Sequence, residues 1–467
     1  MRASIAAELA GIPSVSLVCE GFIGQGRATG RGHGLDDLPL GVLVGHVDAQ
    51  PTDEMLKNLA DVTVEQVVVG LTEARSEGAD GEAAEPTALD IVVSGTIDEI
   101  NERFVERGWS DGSPFLPPTR ERVERFLAPL GHDPWNVLGI APSSGRDVTV
   151  WSVAVNAVMA GCAPEHLPVL LAAAEVLVDP DYGAEHSGNT TGADALMILD
   201  GPGAAQMGFN SGPGALRDGT RANTSVGRWL RLFLRNVFDF TPDEHDKATF
   251  GNTFRVVLAE DRAALLDIGW PSVAEDFGFG SDDDVLTMAR FNSGTIIGSV
   301  YGSAPEEILP YLANGLTRVS AWDLTHVYGL GSDQFRPLLI LSPILARTFA
   351  RHGWSKDDVR QGLFEHARIP ALQFEKFVGE WSNLTAGRRT LSELAAEGHV
   401  PAVFAESDDP DRLVPIVPSP SRFLIAVAGD PNRTNAYALS NDGPHGYYTA
   451  KRIDRDPSTD LVCTIPT

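Results

Sequence analysis

A chain of 467 residues is too long for one ordinary hydrophobic core, so two or three domains are expected. Its 43% hydrophobic and 21% charged content is that of a soluble globular protein, and a formal net charge of −28 argues against nucleic acid or an anionic membrane as partner, because both need basic surface. No run of roughly 18 apolar residues is present, and Glu8 and Pro13 break the apolar stretch that a secretory signal would need in MRASIAAELAGIPSVSLV.

In chain order, IAAELAG reads as a helix, SVSLV as a short strand and GVLVGHV (41–47) as a buried strand. DEMLKNLADVTVEQVVVGLTEA has helical apolar spacing, and this alternation predicts a parallel sheet over residues 1–73. Residues 74–88, acidic and rich in small residues, read as a linker. IVVSG predicts a strand; TIDEINERFVERG follows as a helix with Thr96 as N-cap. Pro114, Pro117 and Pro118 forbid regular structure in DGSPFLPPT, and TRERVERFLAPLG is a further helix capped by Thr119. VTVWSVAVNAVMAGC and LPVLLAAAEVLV predict buried helices, ALMIL a strand, TFRVVLAED, SGTIIGSVYG and SRFLIAVAGD further strands, and 304–317 and 339–368 further helices. The expected fold is α/β: a small N-terminal Rossmann-like parallel-sheet unit, an acidic linker and a larger mixed α+β region over 89–467.

The stretch NSGPGALRDGTRANTSVGRWLRLFLRN (210–236) runs from a glycine-rich loop into a helical pattern. Val226, Leu230, Phe233 and Val237 recur at helical spacing, with Arg228, Arg231 and Arg235 as a basic stripe and Asn223, Thr224 and Ser225 as candidate N-caps. Free amides at a helix start attract anions, and Arg221 could add a bidentate contact to a carboxylate or phosphate. The alternative is a capped core helix with surface arginines. The stretch is neither a P-loop nor a dinucleotide fingerprint.

Cys162, at a helix end, is a candidate nucleophile or simply a small buried side chain. Cys19 follows a strand in the position where α/β sheets bind ligands. Cys463 is remote from both; without CxxC spacing the three cysteines point to a reducing cytoplasm rather than to disulfides or a zinc ribbon. Of eleven histidines, His186 lies in a polar loop beside Asn189, Thr190 and Thr191, and His46 follows a strand and precedes Asp48. Asp111 sits in the rigid WSDGSPFLPP loop. No HExxH or HxH pattern occurs, so no cofactor or metal is assigned.

Five segments, GIPSVSLVCEGF, WSDGSPFLPPT, VNAVMAGCAPEHLPVLLAA, GTRANTSVGRWLRL and FLIAVAGDPNRTNAYALS, together resemble the UGSC (selenocysteine- or cysteine-Gly-Ser-Cys) family. The resemblance spans most of the chain and implies thiol or selenol redox chemistry at the namesake tetrad. No such tetrad occurs here, so those redox residues have no counterpart. The tetrad is expected on a partner chain, ahead of a truncated start, or lost from this branch.

The reading is a cytoplasmic enzyme acting on a small carboxylated metabolite, cleaving or forming a carbon–heteroatom bond. Arg221, Arg228, Asn210, Asn223, Thr224, Asn156, Asn189, Thr190 and Thr191 would bind substrate; Asp111, His186 and Cys162 would be catalytic. The alternatives are a thiol-free lyase or hydratase acting alone and a non-catalytic subunit of a redox complex. A homo- or hetero-oligomer, the latter with a CGSC-bearing chain, is the expected assembly.

Overall fold

The computed structural model describes residues 2–32, 34–35, 37–45, 47, 50–73, 87–129, 131–242, 245–254, 256–319, 335–381, 390–442 and 447–455. His46, Asp48, Cys463 and most of the 74–88 linker lie outside the described residues. The chain divides into two compact units. One takes residues up to 159 together with 230–247; the other takes 160–229 and, of the described residues, those from 248 to 455.

The first unit begins with the expected alternation. A helix Arg2–Leu9 leads into β1 (Ser16–Cys19), and a helix Ile23–Gly32 leads into β2 (Leu40–Leu43). The strands are parallel, with Ser16 opposite Leu40 and Cys19 opposite Leu43. The strand expected over 41–47 stops at Leu43, and helical residues Thr52–Thr72 return behind it with a π-turn at Leu59–Thr63. That turn has a use: Thr63 Oγ1 donates to the Val42 carbonyl at 2.6 Å and the Val42 amide donates to Gln66 Oε1 at 2.7 Å. Side chains thus take up the outer edge of β2.

Further along, Thr96 and Glu99 form the complete reciprocal cap of the helix Ile97–Glu106, and Thr119 caps Arg120–Leu127. Residues 91–95 form no strand, contrary to the pattern of IVVSG. Among the described residues no neighbouring strand offers them a ladder, and Ile91, Val92 and Val93 instead line a cavity. A hairpin of β3 (Val137–Ile140) and β4 (Asp147–Thr149) precedes the helix Val150–Ala160.

The second unit is built on a seven-stranded mixed sheet. Its strands are β5 (Asp194–Asp200), β6 (Leu258–Ala259), β7 (Val285–Ile297), β8 (Leu338–Leu341), β11 (Leu424–Val427), β12 (Ala436–Asn441) and β13 (Thr449–Arg452), in the order β11-β8-β12-β7-β5-β6 with β13 also on β7. The remaining strands, β9 (Arg368–Pro370) and β10 (Leu413–Pro415), pair separately. Two pairs are parallel, β5 with β6 and β8 with β11; the others are antiparallel. Alternate residues of β8 and β11 enter two different apolar clusters. Leu339, Leu341, Ile425 and Val427 join one and Leu338, Ile340, Leu424 and Ala426 the other, so both sheet faces are covered.

Three expectations change here. TFRVVLAED yields only the two-residue β6. The helical reading of 339–368 gives way to β8 followed by helices Pro343–Arg351 and Lys356–His366, because LLIL is a fully buried strand and Pro343 can only begin a helix. The helix of the glycine-rich stretch starts at Arg221, so Asn223, Thr224 and Ser225 lie inside it rather than capping it.

Candidate functional site

The glycine-rich stretch is knitted together by its own side chains. Asn223, 1% exposed, accepts the Asn210 amide and donates to the carbonyls of Asn210 and Val257. Asn210 in turn accepts the Gly212 amide and donates to the Pro213 carbonyl, while the Gly219 amide donates to Thr224 Oγ1. Arg221 donates through Nε and Nη2 to the Gly161 carbonyl and through Nη2 to that of Cys162. Its guanidinium therefore ties the helix start to the turn that carries Cys162.

Cys162 is buried, and its thiol is pushed up to about 12, first by burial, against the Ser225 hydroxyl and the Arg221 and Arg228 charges. Such a thiol is a poor nucleophile at neutral pH. Nearby His166, not singled out in the sequence, is buried, lies against Phe209 and accepts the Ala163 amide on Nδ1; burial lowers its pKa and keeps the ring neutral.

The polar loop after the turn Ala184–His186 is anchored to the sheet. Asn189 Oδ1 accepts the amides of Gly192 and Ala193, and its Nδ2 donates to Asp442 at 2.6 Å. Thr191 Oγ1 reaches Asn189 and Asn292, and the Thr190 carbonyl accepts from Thr249. The His186 side chain is 44% exposed, with Glu185 at 3.9 Å.

Asp111 and Asn156 belong to the first unit, not the second. Asp111 Oδ1 accepts the Ser113 amide, an ordinary turn contact. Asn156 accepts from Asn236 and donates to the Ser152 carbonyl. Asn156 lines a cavity of about 850 Å³, as do Arg146 and Asp239, which pair with each other, and Arg235, which donates to the Gly108 carbonyl. The walls of this cavity offer apolar surface and paired polar groups.

A different arrangement, unmarked by any motif, appears at the carboxyl ends of β5 and β6. Parallel pairing sets Leu199 opposite Ala259, so the next residues, Asp200 and Glu260, emerge side by side. They are 3% and 5% exposed, and both line a cavity of about 310 Å³ with Trp270, Ser272 and Glu275. Glu260 is fixed by two backbone donors, Val273 N–H at 2.7 Å and Val427 N–H at 2.9 Å, one to each oxygen. Neither Asp200 oxygen has a hydrogen-bond partner of normal geometry, although the Glu260 carboxyl and the Ala274 amide both bear on it. Burial, then the neighbouring Glu260 charge, raises the Asp200 pKa well above its ordinary range. The residue that follows must be glycine: Gly201 has φ +110°, and a side chain there would collide with Asp284. Carboxyl ends of parallel strands are where open α/β sheets present their chemistry.

Comparison with known proteins bears on the N-terminal segment. Residues 1–73 match the UGSC family profile. This N-terminal segment is what the chain shares with the UGSC family. The UGSC segment holds the parallel pair β1–β2 and Cys19, whereas Asp200 and Glu260 fall outside it. No curated protein and no solved structure matches the chain. Among the described residues no cluster of His, Cys, Asp and Glu is arranged to hold a metal ion, and no helix is long and apolar enough to cross a membrane.

The buried pair has a pH signature. With its pKa raised, Asp200 holds its proton to higher pH in the fold than in the unfolded chain, so the native protein is expected to lose stability as pH rises from about 4 through the raised pKa. Asp200→Asn removes that dependence. Its thermal midpoint should exceed that of the native protein at neutral pH, with a gain that shrinks toward about pH 4. A gain that is constant or larger at low pH would show that Asp200 is ionised in the fold.

Proposed function

We propose that the protein is an enzyme that uses Asp200 and Glu260 as a general acid–base pair on a small carboxylated metabolite, eliminating or adding a heteroatom group across a carbon–carbon bond. The observation that carries this reading is the buried Asp200 carboxyl lining a cavity beside Glu260. In the elimination direction Glu260 accepts a proton from carbon and the C–H pair becomes the new π bond. The carbon–heteroatom bond breaks with its electrons on the leaving group, which takes the proton of Asp200. Addition is the reverse, and proton exchange with solvent resets the pair. The high pKa of Cys162 favours this thiol-free chemistry over attack by that residue. Cytoplasmic residence is part of the same reading, supported by Cys19 and Cys162 being free thiols.

The test is turnover of a panel of small carboxylates bearing a β-hydroxyl, β-amino or β-thioether group, followed by the ultraviolet absorbance of the conjugated product. Asp200→Asn and Glu260→Gln should each lower kcat/KM by ~10²–10⁴, while Cys162→Ser leaves it within a few-fold. Turnover that survives both carboxyl changes, or that needs Cys162, would sink the reading.

A partner chain enters through one observation. Among the described residues β1 pairs with β2 alone, while side chains occupy the outer edge of β2 and Leu17 is 56% exposed. A two-stranded sheet is marginal by itself, so the edge of β1 is where a strand of another chain would add. Light scattering after size exclusion should give the mass of an oligomer or hetero-complex, reduced to the monomer by Leu17→Lys; a monomer throughout would remove the partner from the account.

A further inference from the structure

The second unit holds a concentration of positive charge that runs against the formal charge of −28. Arg336, Arg360 and Arg422 line one cavity of about 390 Å³ together with Ser421 and Asp276. The sheet explains why they converge. Leu338 of β8 lies opposite Leu424 of β11, and the Leu424 amide donates to the Pro337 carbonyl, so Arg336 and Arg422 stand at equivalent positions just ahead of two parallel strands. Arg360 comes from the helix Lys356–His366 and is fixed by the Phe423 carbonyl at 3.0 Å.

The acidic groups near these arginines are already committed. Asp276 takes Lys356 Nζ at 2.7 Å and Arg360 Nη2 at 2.5 Å with one oxygen, and Asp357, largely exposed, takes Arg360 Nη1 at 2.6 Å. Arg336 feels the Asp276 charge but, among the described residues, makes no ion pair at contact distance. Its guanidinium lies over the Phe277 ring at 5.1 Å and the Tyr448 ring at 5.9 Å. Its buried Nε has no hydrogen-bond partner, and among the described residues no carboxylate pairs with it. A half-buried cation held between aromatic faces and beside further arginines is costly unless an anion completes it. Planar guanidinium groups are also the side chains best shaped to grip oxyanions bidentately.

We infer that the Arg336–Arg360–Arg422 cavity binds a small organic molecule through a phosphate or carboxylate group. The volume exceeds what a bare oxyanion fills and falls in the range of small-ligand pockets, roughly 300–1,000 Å³. Arg336 and Arg422 face the oxyanion, the Ser421 hydroxyl adds a hydrogen bond, and Arg360, held in place by Asp276 and Asp357, adds its field. The inference goes beyond the acid–base reading and does not depend on it.

Calorimetric titration at constant ionic strength tests the site on the full chain, with glycerol 3-phosphate in one arm, citrate in a second and sodium chloride as the matched control. Saturable binding is expected in at least one oxyanion arm and none with chloride; the tighter arm tells whether phosphate or carboxylate is the preferred group. Arg422→Gln should weaken that binding at least tenfold, and Arg336→Gln should do the same. Should Arg336→Gln fail to fold, Arg422→Gln carries the test alone. Asp200→Asn should bind as the native protein does, which separates this site from the carboxylate pair. No saturable binding in either oxyanion arm, or full affinity retained in Arg422→Gln, would overturn the inference.

Discussion

Two carboxyl groups buried side by side repel when both are charged, and the parallel pairing of β5 with β6 places Asp200 beside Glu260 in that way. Everything around the pair divides their roles. Backbone amides of Val273 and Val427 approach Glu260 and give it the partners of an anion. Asp200 receives none of normal geometry, and burial beside Glu260 raises its pKa. Pairs of titratable groups whose surroundings drive them apart are the usual way a fold runs acid and base chemistry at one pH. Ser272 and Glu275, which also line this cavity, form the reciprocal cap of the short helix Val273–Asp276, so the Val273 amide that orients Glu260 is held by a rigid turn.

The same helix connects the pair to the arginine cavity within the second unit. Glu275 lines the one and Asp276 the other, while Lys356 donates to the Pro271 carbonyl and to Asp276 and lowers the Asp200 pKa against the larger effect of burial. A carboxylic acid at one cavity and a cluster of cations at the other are the complements that an anionic metabolite would meet.

Much of the fold was legible because it is written in local patterns. Thr96 and Glu99 announce their cap by spacing alone, and the ten apolar residues buried in Leu167–Val178 read directly as a core helix. The site was not legible, for physical reasons. Asn223, Thr224 and Ser225 look like helix caps or ligand groups because small polar side chains serve both purposes. Only the fold shows that Asn223 and Thr224 staple their own loop. Asp200 sits in ILDGPG, where an aspartate before glycine passes for a turn, and Glu260 sits in LAED, where it passes for a helix start. Their partnership depends on strand register between segments far apart in the chain. Arg336 and Arg422 were invisible for the same reason, since β8 and β11 bring them together.

The central claim is that Asp200 carries a proton in the folded protein. Isotope-edited infrared spectroscopy of the carboxylic acid C=O stretch at neutral pH tests it without any substrate. The account predicts a protonated-carboxyl band in the native protein that is missing from Asp200→Asn and retained in Cys162→Ser. Spectra in which Asp200→Asn removes no such band would mean that Asp200 is ionised in the fold, and the acid–base account would fail.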